Sequence, residues 1–303
     1  MNHTSTSALA TLAILNDVAQ QSYPPSALYV LATPIGNVCD ITLRALHVLG
    51  MVDAVACEDT RNTAHLMTRY GLSKTLIAAH EHNEREVAEK IIVRLQAGER
   101  IALVSDAGTP AVSDPGARIV DAVRNAGLRV LPLPGASAAV TALCASGLVN
   151  DSFHFAGFLP AKAKQRENAL ALLCNLPSTL VLYEAPHRIT ETVDALLLAF
   201  GPARQIVLAR ELTKQFEEIH RCPLAEAPGW LAQDGNRQRG EFVLLVEAAP
   251  AVDDDHAEAD RVLQILLAEL PLKQAAALAA QLTGQKKNAL YERALALREN
   301  APQ

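Results

Sequence analysis

Apolar residues in this chain come in short, nearly unbroken runs separated by helix-length stretches, a rhythm that holds from residue 28 to about 149. The runs are LYVLAT (28–33), VDAVAC (52–57), TLIAA (75–79), IALVS (101–105) and LRVLPL (128–133). A strand wet on one face alternates apolar with polar residues. Runs without that alternation suit strands covered on both faces, as in a parallel sheet. Between them, Asn83 with Glu86 three residues on has the form of a capping box, and Gly98 stops the helix it opens. A second helix is expected from about Ala117 to Ala126, ending at Gly127. The rhythm resumes from 150 to 248 with FHFAGF (153–158), TLVLYEA (179–185), RQIVLARE (204–211) and EFVLLVEA (241–248). PAVDDDHAEAD (250–260) then reads as a linker. The stretch 259–298 is helical throughout, broken at Pro271 and Gly284, which suits a helix-turn-helix bundle. The expected organisation is an extension at 1–26 that is disordered or frayed, α/β domains at 27–149 and 150–248, a linker at 249–258 and a helical tail at 259–303.

Composition narrows the function classes. Half of the 303 residues are apolar, yet only 4% are aromatic, a mix for helices on a buried parallel sheet. The five cysteines are odd in number and scattered, with no CxxC pair, so a reducing cytoplasm is expected rather than a disulfide framework or structural zinc. No apolar run approaches membrane-spanning length. The net charge of −6 argues against a broad basic surface for nucleic acid and leaves room only for a local basic groove.

The common nucleotide and hydrolase signatures are absent. There is no GxG for a Rossmann fingerprint, no GK followed by Ser or Thr for a P-loop, and no GxSxG for a hydrolase nucleophile. HEHNE (80–84) invites a metal reading, but the HExxH spacing is missing and a loop ending at a helix N-cap accounts for Asn83 and Glu84. No metal is expected.

Open α/β sheets place ligands beyond the carboxyl ends of their strands. The loops there are TPIGN (33–37), EDTRNT (58–63), SDAGTPAVSDPG (105–116) and PGASA (134–138). Each carries small residues that let backbone approach a ligand, although any single glycine among them is explained as well by turn geometry. EDTR has two readings of equal weight. Asp59 or Thr60 caps a helix with Glu58 and Arg61 as a solvated ion pair, or a buried carboxylate held by arginine faces the ligand.

At this point whole strings align with one family. LYVLATPIGNVCDITLRAL, CEDTRNT, SDAGTPAVSDPG, LPGASA, FAGFLPAK, YEAPHR, ARELTKQFEE and GEFVLLV occur in the order and spacing of the tetrapyrrole-methylase-like (class III) methyltransferases. Within them the chain resembles the branch that methylates cytidine 2′-hydroxyls in small-subunit ribosomal RNA. The resemblance covers roughly residues 28 to 248, and the helical tail is similar to that branch's C-terminal domain. It implies two α/β domains of the tetrapyrrole methylase type, a homodimer, and S-adenosylmethionine as cofactor in the cleft between domains. The cofactor segments it implies are Pro34, then Asp106 with Gly108, Thr109, Pro110, Ala111 and Val112, then Pro134, Gly135, Ala136 and Ser137. Tyr183, Glu184, Leu212 and Gly240 complete that set.

The implied reaction sets what else the site needs. A sulfonium methyl donor is already activated, whereas a ribose hydroxyl is a poor nucleophile until its proton is being removed. Glu58, Asp59 and Asp106 are candidate bases or orienters, with Arg61 and Lys214 as electrostatic partners. Contacts to 16S ribosomal RNA, free or in the small subunit, would come from Lys162, Lys164 and Arg166 in PAKAKQR, and from Lys286 and Lys287 with Arg293 in GQKKNALYER. Each of these groups reads equally as a solvated helix start. Arg188 in YEAPHR is a further RNA candidate or simply part of a helix opening after Pro186. The rival within the same fold is methylation of a porphyrin-like carbon.

Overall fold

The computed structural model describes residues 14–250 and 254–299, without side chains at 254–258 and 299. Residues up to Ala248 form one unit and those from Ala249 a second.

The first unit contains two five-stranded sheets. The first sheet comprises β1 (Ala27–Leu31), β2 (Ala54–Cys57), β3 (Thr75–Ala78), β4 (Arg100–Leu103) and β5 (Arg129–Leu133), ordered β3-β2-β4-β1-β5 and parallel throughout. For the interior strands β1, β2 and β4 the unbroken runs have the physical cause inferred from them, whereas the edge strands β3 and β5 are only half-buried. Tyr29, Leu31, Val55, Cys57 and Ala102 pack on one face against the helix Leu43–Met51. Leu28, Ala56, Ile101 and Leu103 pack on the other against the helices Glu84–Gln96 and Ala117–Asn125. Gly98 and Gly127 follow those two helices with positive φ, as helix-stopping glycines do. Asn83 does sit at the N-cap, but no capping box forms. Its side chain accepts from His80 N at 2.8 Å and donates to Ala78 O at 3.0 Å, while Glu86 pairs forward with Lys90 at 2.6 Å.

The second sheet is mixed, ordered β6-β7-β10-β8-β9, from β6 (Phe153–Phe158), β7 (Thr179–Glu184), β8 (Gln205–Arg210), β9 (Glu218–Pro223) and β10 (Phe242–Val246). Only the β6–β7 pairing is parallel. The edge strand β9 has no counterpart among the apolar runs. Of its sequence, EIHRCP, only Cys222 is buried and Ile219 is exposed, since an edge strand on one neighbour needs little apolar surface. One face of this sheet is covered by the helices Ala163–Leu173, Ile189–Phe200 and Ala227–Gln233. The other face, through Val181, Val207, Ala209, Val243 and Leu245, meets Ile35 and the helix Ala138–Ala145. That helix follows β5 in sequence but packs on the second sheet, where Ala139 and Ala142 allow close approach.

The chain before β1 differs from the frayed extension expected over 1–26. Residues 1–13 lie outside the described residues. From 14 the chain carries a helical segment at 14–19, with Val18 buried. Tyr23 donates its hydroxyl to Val18 O at 3.0 Å, and Arg100 Nε donates to Tyr23 O at 3.1 Å. Polar anchoring of this kind has no apolar periodicity to announce it.

The second unit is three helices, Asp254–Glu269, Leu272–Thr283 and Lys287–Glu299, around Ala259, Leu263, Ala279, Leu290 and Ala294. The first helix begins inside the stretch expected to be linker, of which 251–253 lie outside the described residues. Pro271 and Gly284 mark the breaks between helices, as anticipated.

Candidate active-site cleft

In the first sheet β1 lies between β4 and β5, so the three loops following these strands converge at one edge. Backbone bonds join the first two: Thr33 N donates to Gly108 O at 2.9 Å and Gly108 N to Thr33 O at 3.0 Å. Thr109 Oγ1 donates to Ala136 O at 2.9 Å and so ties the third. Gly135 is needed for this convergence, because a Cβ there would stand 2.7 Å from Ala32 Cβ.

These loops face the second sheet across a cleft of about 370 Å3, within the size range of small-molecule sites. Ile35, Gly108, Thr109, Val112, Asp114 and Ser137 line it from the first sheet's loops. Tyr183, Glu184, Leu212, Glu241, Phe242 and Val243 line it from the second. The walls are mainly apolar, with carboxylates at Asp114, Glu184 and Glu241. This is a donor set suited to a ligand that joins an apolar ring system to positive charge, as S-adenosylmethionine does. Tyr183 stands edge-on to Phe155 and Phe158, with centroids 4.9 and 5.7 Å away, and its hydroxyl accepts from Ala139 N at 3.2 Å.

Backbone strain clusters at the same place. Of five described non-glycine residues with positive φ, Ala111 and Ser113 lie in the loop after β4, and Glu211 and Thr213 in the loop after β8. Such conformations persist only where surrounding contacts over-determine them. Here Gly116 N donates to the buried Glu84 carboxylate at 2.6 Å and pins one loop. Lys214 Nζ bridges Glu211 and Glu241, each at 2.8 Å, and pins the other.

The cleft collects some of the residues nominated from sequence. Gly108, Thr109, Val112, Ser137, Tyr183, Glu184 and Leu212 line it. Pro34, Pro110, Ala111, Pro134, Gly135, Ala136 and Gly240 do not line it. Gly240 (φ +87°) leaves room for Glu211, whose side chain would lie 2.5 Å from a Cβ there. Asp106 is exposed and acts as a strut: Oδ1 accepts from Asp59 N at 3.1 Å and Oδ2 from Asn62 Nδ2 at 2.7 Å.

EDTR resolves in favour of the helix cap, with a different ion pair. Asp59 caps the helix Thr60–Arg69 by accepting from Arg61 N at 2.8 Å. It also takes the Arg61 guanidinium at 2.6 Å, so Arg61 pairs with Asp59 rather than Glu58 and is 89% exposed. Those bonds hold the Asp59 carboxyl down at about 2, which makes it a weak base. Glu58 is half-buried and its carboxyl is raised by burial and then by Asp106 and Asp59. Neither Glu58, Asp59, Arg61 nor Lys214 lines the cleft.

Two of the basic residues expected to meet RNA are engaged internally. Arg166 is buried, with its guanidinium on Ala161 O at 3.3 Å and Glu191 at 3.4 Å. Arg188 donates to Leu159 O at 2.6 Å and approaches Glu184 at 3.3 Å, beneath the cleft. In the tail, Arg293 forms a two-pronged pair with Asp260 at 2.6 and 2.7 Å. Lys162, Lys164, Lys286 and Lys287 are exposed, and Lys164 pairs with Glu167 at 3.2 Å. Helix periodicity alone could not separate the inward arginine from the outward lysines. Among the described residues no group of three His, Cys, Asp or Glu is arranged to hold a metal. No described helix is long and apolar enough to cross a membrane.

Asp114, Glu241 and Phe158 also stand in the cleft wall, with no motif to single them out in the sequence. Asp114 stood in view within SDAGTPAVSDPG, but nothing in a linear string separates its carboxylate from Asp106 eight residues earlier.

Comparison with known proteins bears on the whole of this architecture. The model of the tetrapyrrole (corrin/porphyrin) methylases matches residues 27–228, and that of the RsmI C-terminal HTH domain matches 253–298. Ribosomal RNA small subunit methyltransferase I of Escherichia coli O157:H7 is 52% identical, over 88% of this chain and 94% of its own. The protein of the same name from Pseudomonas aeruginosa is 53% identical, over 88% and 96%. Among solved structures, diphthine synthase superposes with a TM-score of 0.59 at 17% identity, over 73% of this chain and 90% of its own. Thermus thermophilus uroporphyrin-III C-methyltransferase complexed with S-adenyl homocysteine gives 0.51 at 16% identity, over 73% and 97%. These structures share the two-sheet fold, and the long, close matches extend through the helical tail: the chain belongs to the ribosomal RNA small subunit methyltransferase I family of the tetrapyrrole methylases.

Proposed function

We propose that this protein transfers a methyl group from S-adenosylmethionine to the ribose 2′-hydroxyl of a cytidine in 16S ribosomal RNA. The observation that carries the reading is likeness to the ribosomal RNA methyltransferases over 88% of the chain, together with a match to their own tail domain. A tetrapyrrole methylase fold alone would leave the acceptor open. The tail separates the RNA reading from the porphyrin one.

The methyl donor supplies an electrophilic carbon on a cationic sulfur. The chain's own residues bind and aim. Ile35, Val112, Leu212 and Val243 offer apolar walls for a nucleoside, and Gly108 brings bare backbone to its edge. Asp114 and Glu241 give the cleft a negative lining that favours a cation. Lys286 and Lys287, exposed on the tail, serve as phosphate contacts. The protein works in the cytoplasm, where its RNA substrate is made, as a homodimer. Phe153, exposed at the start of the edge strand β6, and Val149, exposed just before it, support a self-associating face.

The test is direct. Purified protein, tritiated S-adenosylmethionine and small ribosomal subunits should yield labelled RNA whose modified linkage resists alkali, since a methylated 2′-oxygen cannot attack the neighbouring phosphate. Label appearing in a uroporphyrinogen-type substrate instead would overturn the reading. Replacing Lys286 and Lys287 together by glutamate should weaken ribosomal RNA binding and flatten its salt dependence by about two phosphate contacts. Cofactor affinity measured by calorimetry should not change.

A further inference from the structure

We infer that Asp114 is the group that takes the proton from the acceptor hydroxyl in this cleft. The inference rests on the methyl-transfer reading and assigns a residue that the sequence motifs left unassigned. Three carboxylates line the cleft, and two of them are engaged. Glu184 is fully buried and accepts from Thr192 Oγ1 at 2.6 Å and Ala185 N at 2.8 Å, with Arg188 at 3.3 Å. Glu241 is bound to Lys214 at 2.8 Å. Asp114 has no cationic partner among the described residues.

The acidic groups outside the cleft do not compete for the role. Asp59 is held by Arg61, Asp106 braces two loops, and Glu58, whose charge acts on Asp114, is not on the cleft wall. The loop bearing Asp114 is fixed on both sides. Glu84 holds Gly116 N at 2.6 Å, and Ser113 sits at positive φ against Gly157, whose hypothetical Cβ would lie 2.9 Å from Ser113 Oγ. The carboxylate is therefore presented from a rigid support, as proton transfer requires.

Its surroundings also suit a base. Burial, followed by the charge of Glu58, raises the Asp114 carboxyl to about 6; the Ser105 hydroxyl opposes this and Asp106 adds to it. Tyr183 faces it from β7 with its own ionisation pushed up, chiefly by burial. A carboxylate of that basicity is ionised at neutral pH yet accepts a proton far more readily than an ordinary aspartate. In the step, the 2′-oxygen forms a bond to the methyl carbon as its O–H bond breaks. The C–S bond breaks with its electron pair going to sulfur, which becomes neutral. The proton comes to rest on Asp114 and passes to solvent.

The experiment compares the full-length protein with Asp114→Asn and Asp114→Glu. The Asn variant should lose at least about 100-fold in turnover, while affinity for S-adenosylhomocysteine by calorimetry stays within about threefold. The Glu variant should recover part of that loss. Wild-type single-turnover rate should rise with pH through about 6, and the residual rate of the Asn variant should lack that limb. Independently of turnover, carbon-13 spectra of the wild type should contain an aspartate carboxyl titrating near 6 that vanishes in the variant. Thermal stability of the Asn variant at pH 7 should match or exceed wild type, because the substitution removes a crowded charge. Full activity in the Asn variant, or loss of S-adenosylhomocysteine affinity in proportion to turnover, overturns the inference. Labelling of RNA by wild type and variant alike sinks the inference alone, whereas no labelling by wild type sinks the functional reading along with it.

Discussion

Glu184→Ala will lower stability by about 3–5 kcal/mol, the cost of breaking a buried ion pair from one side. The Glu184 side chain has no exposure, and Arg188 opposite it retains only 18%. Removing the carboxylate strands the guanidinium with Leu159 O as its remaining close acceptor and leaves Thr192 Oγ1 without one. At roughly 2–4 °C per kcal/mol for a unit of this size, the melting temperature should fall by about 10 °C in calorimetry. Glu184→Ala combined with Arg188→Met should regain part of the loss, since an apolar pair carries no uncompensated charge. A double variant no more stable than the single one would mean that the carboxylate's other contacts dominate.

Gly36→Val should cost about 1–3 kcal/mol in stability, typical of overpacking, and a far larger factor in activity. A Cβ on Gly36 would stand 2.5 Å from Lys214 Cγ, 2.8 Å from Thr213 Oγ1 and 3.0 Å from Leu212 O. The lysine chain can swing away, but the Leu212 carbonyl belongs to the backbone that bears one cleft wall. Ile35, next to Gly36, bears another. The substitution therefore separates two walls that must meet the same ligand. Displacements near 1 Å in such supports cost about 10²-fold in rate. Stopped-flow methyl transfer and cofactor calorimetry on the variant check this, and unchanged values for both would remove the contact between the two loops from the working site.

How much was legible beforehand differs by element. Nine of the ten strands were visible as apolar runs; the interior ones, β1, β2, β4, β7, β8 and β10, are buried on both faces, which leaves an unbroken trace in one dimension. β9 left none, being an edge strand whose isolated Ile219 and Cys222 form no apolar run. The cleft was legible as a set of loops, since small residues after strands mark places where backbone can approach a ligand. Its chemistry was less so. Arg61 was read with Glu58 and proved to grip Asp59, two residues away across a helix cap. Arg166 and the neighbouring lysines share one basic run, yet only the arginine turns inward to Glu191.

What the sequence determined by itself, then, was periodicity and kinship: two sheets, a helical tail, and strings shared with a methyltransferase family. Those depend on neighbours along the chain and survive being read in a line. Only the tertiary structure decided which carboxylates face the ligand and which are tied to cations. Glu184, Glu241 and Asp114 are chemically alike and far apart in the chain, and they acquire different roles because folding brings Arg188 to one, Lys214 to another and no cation to the third.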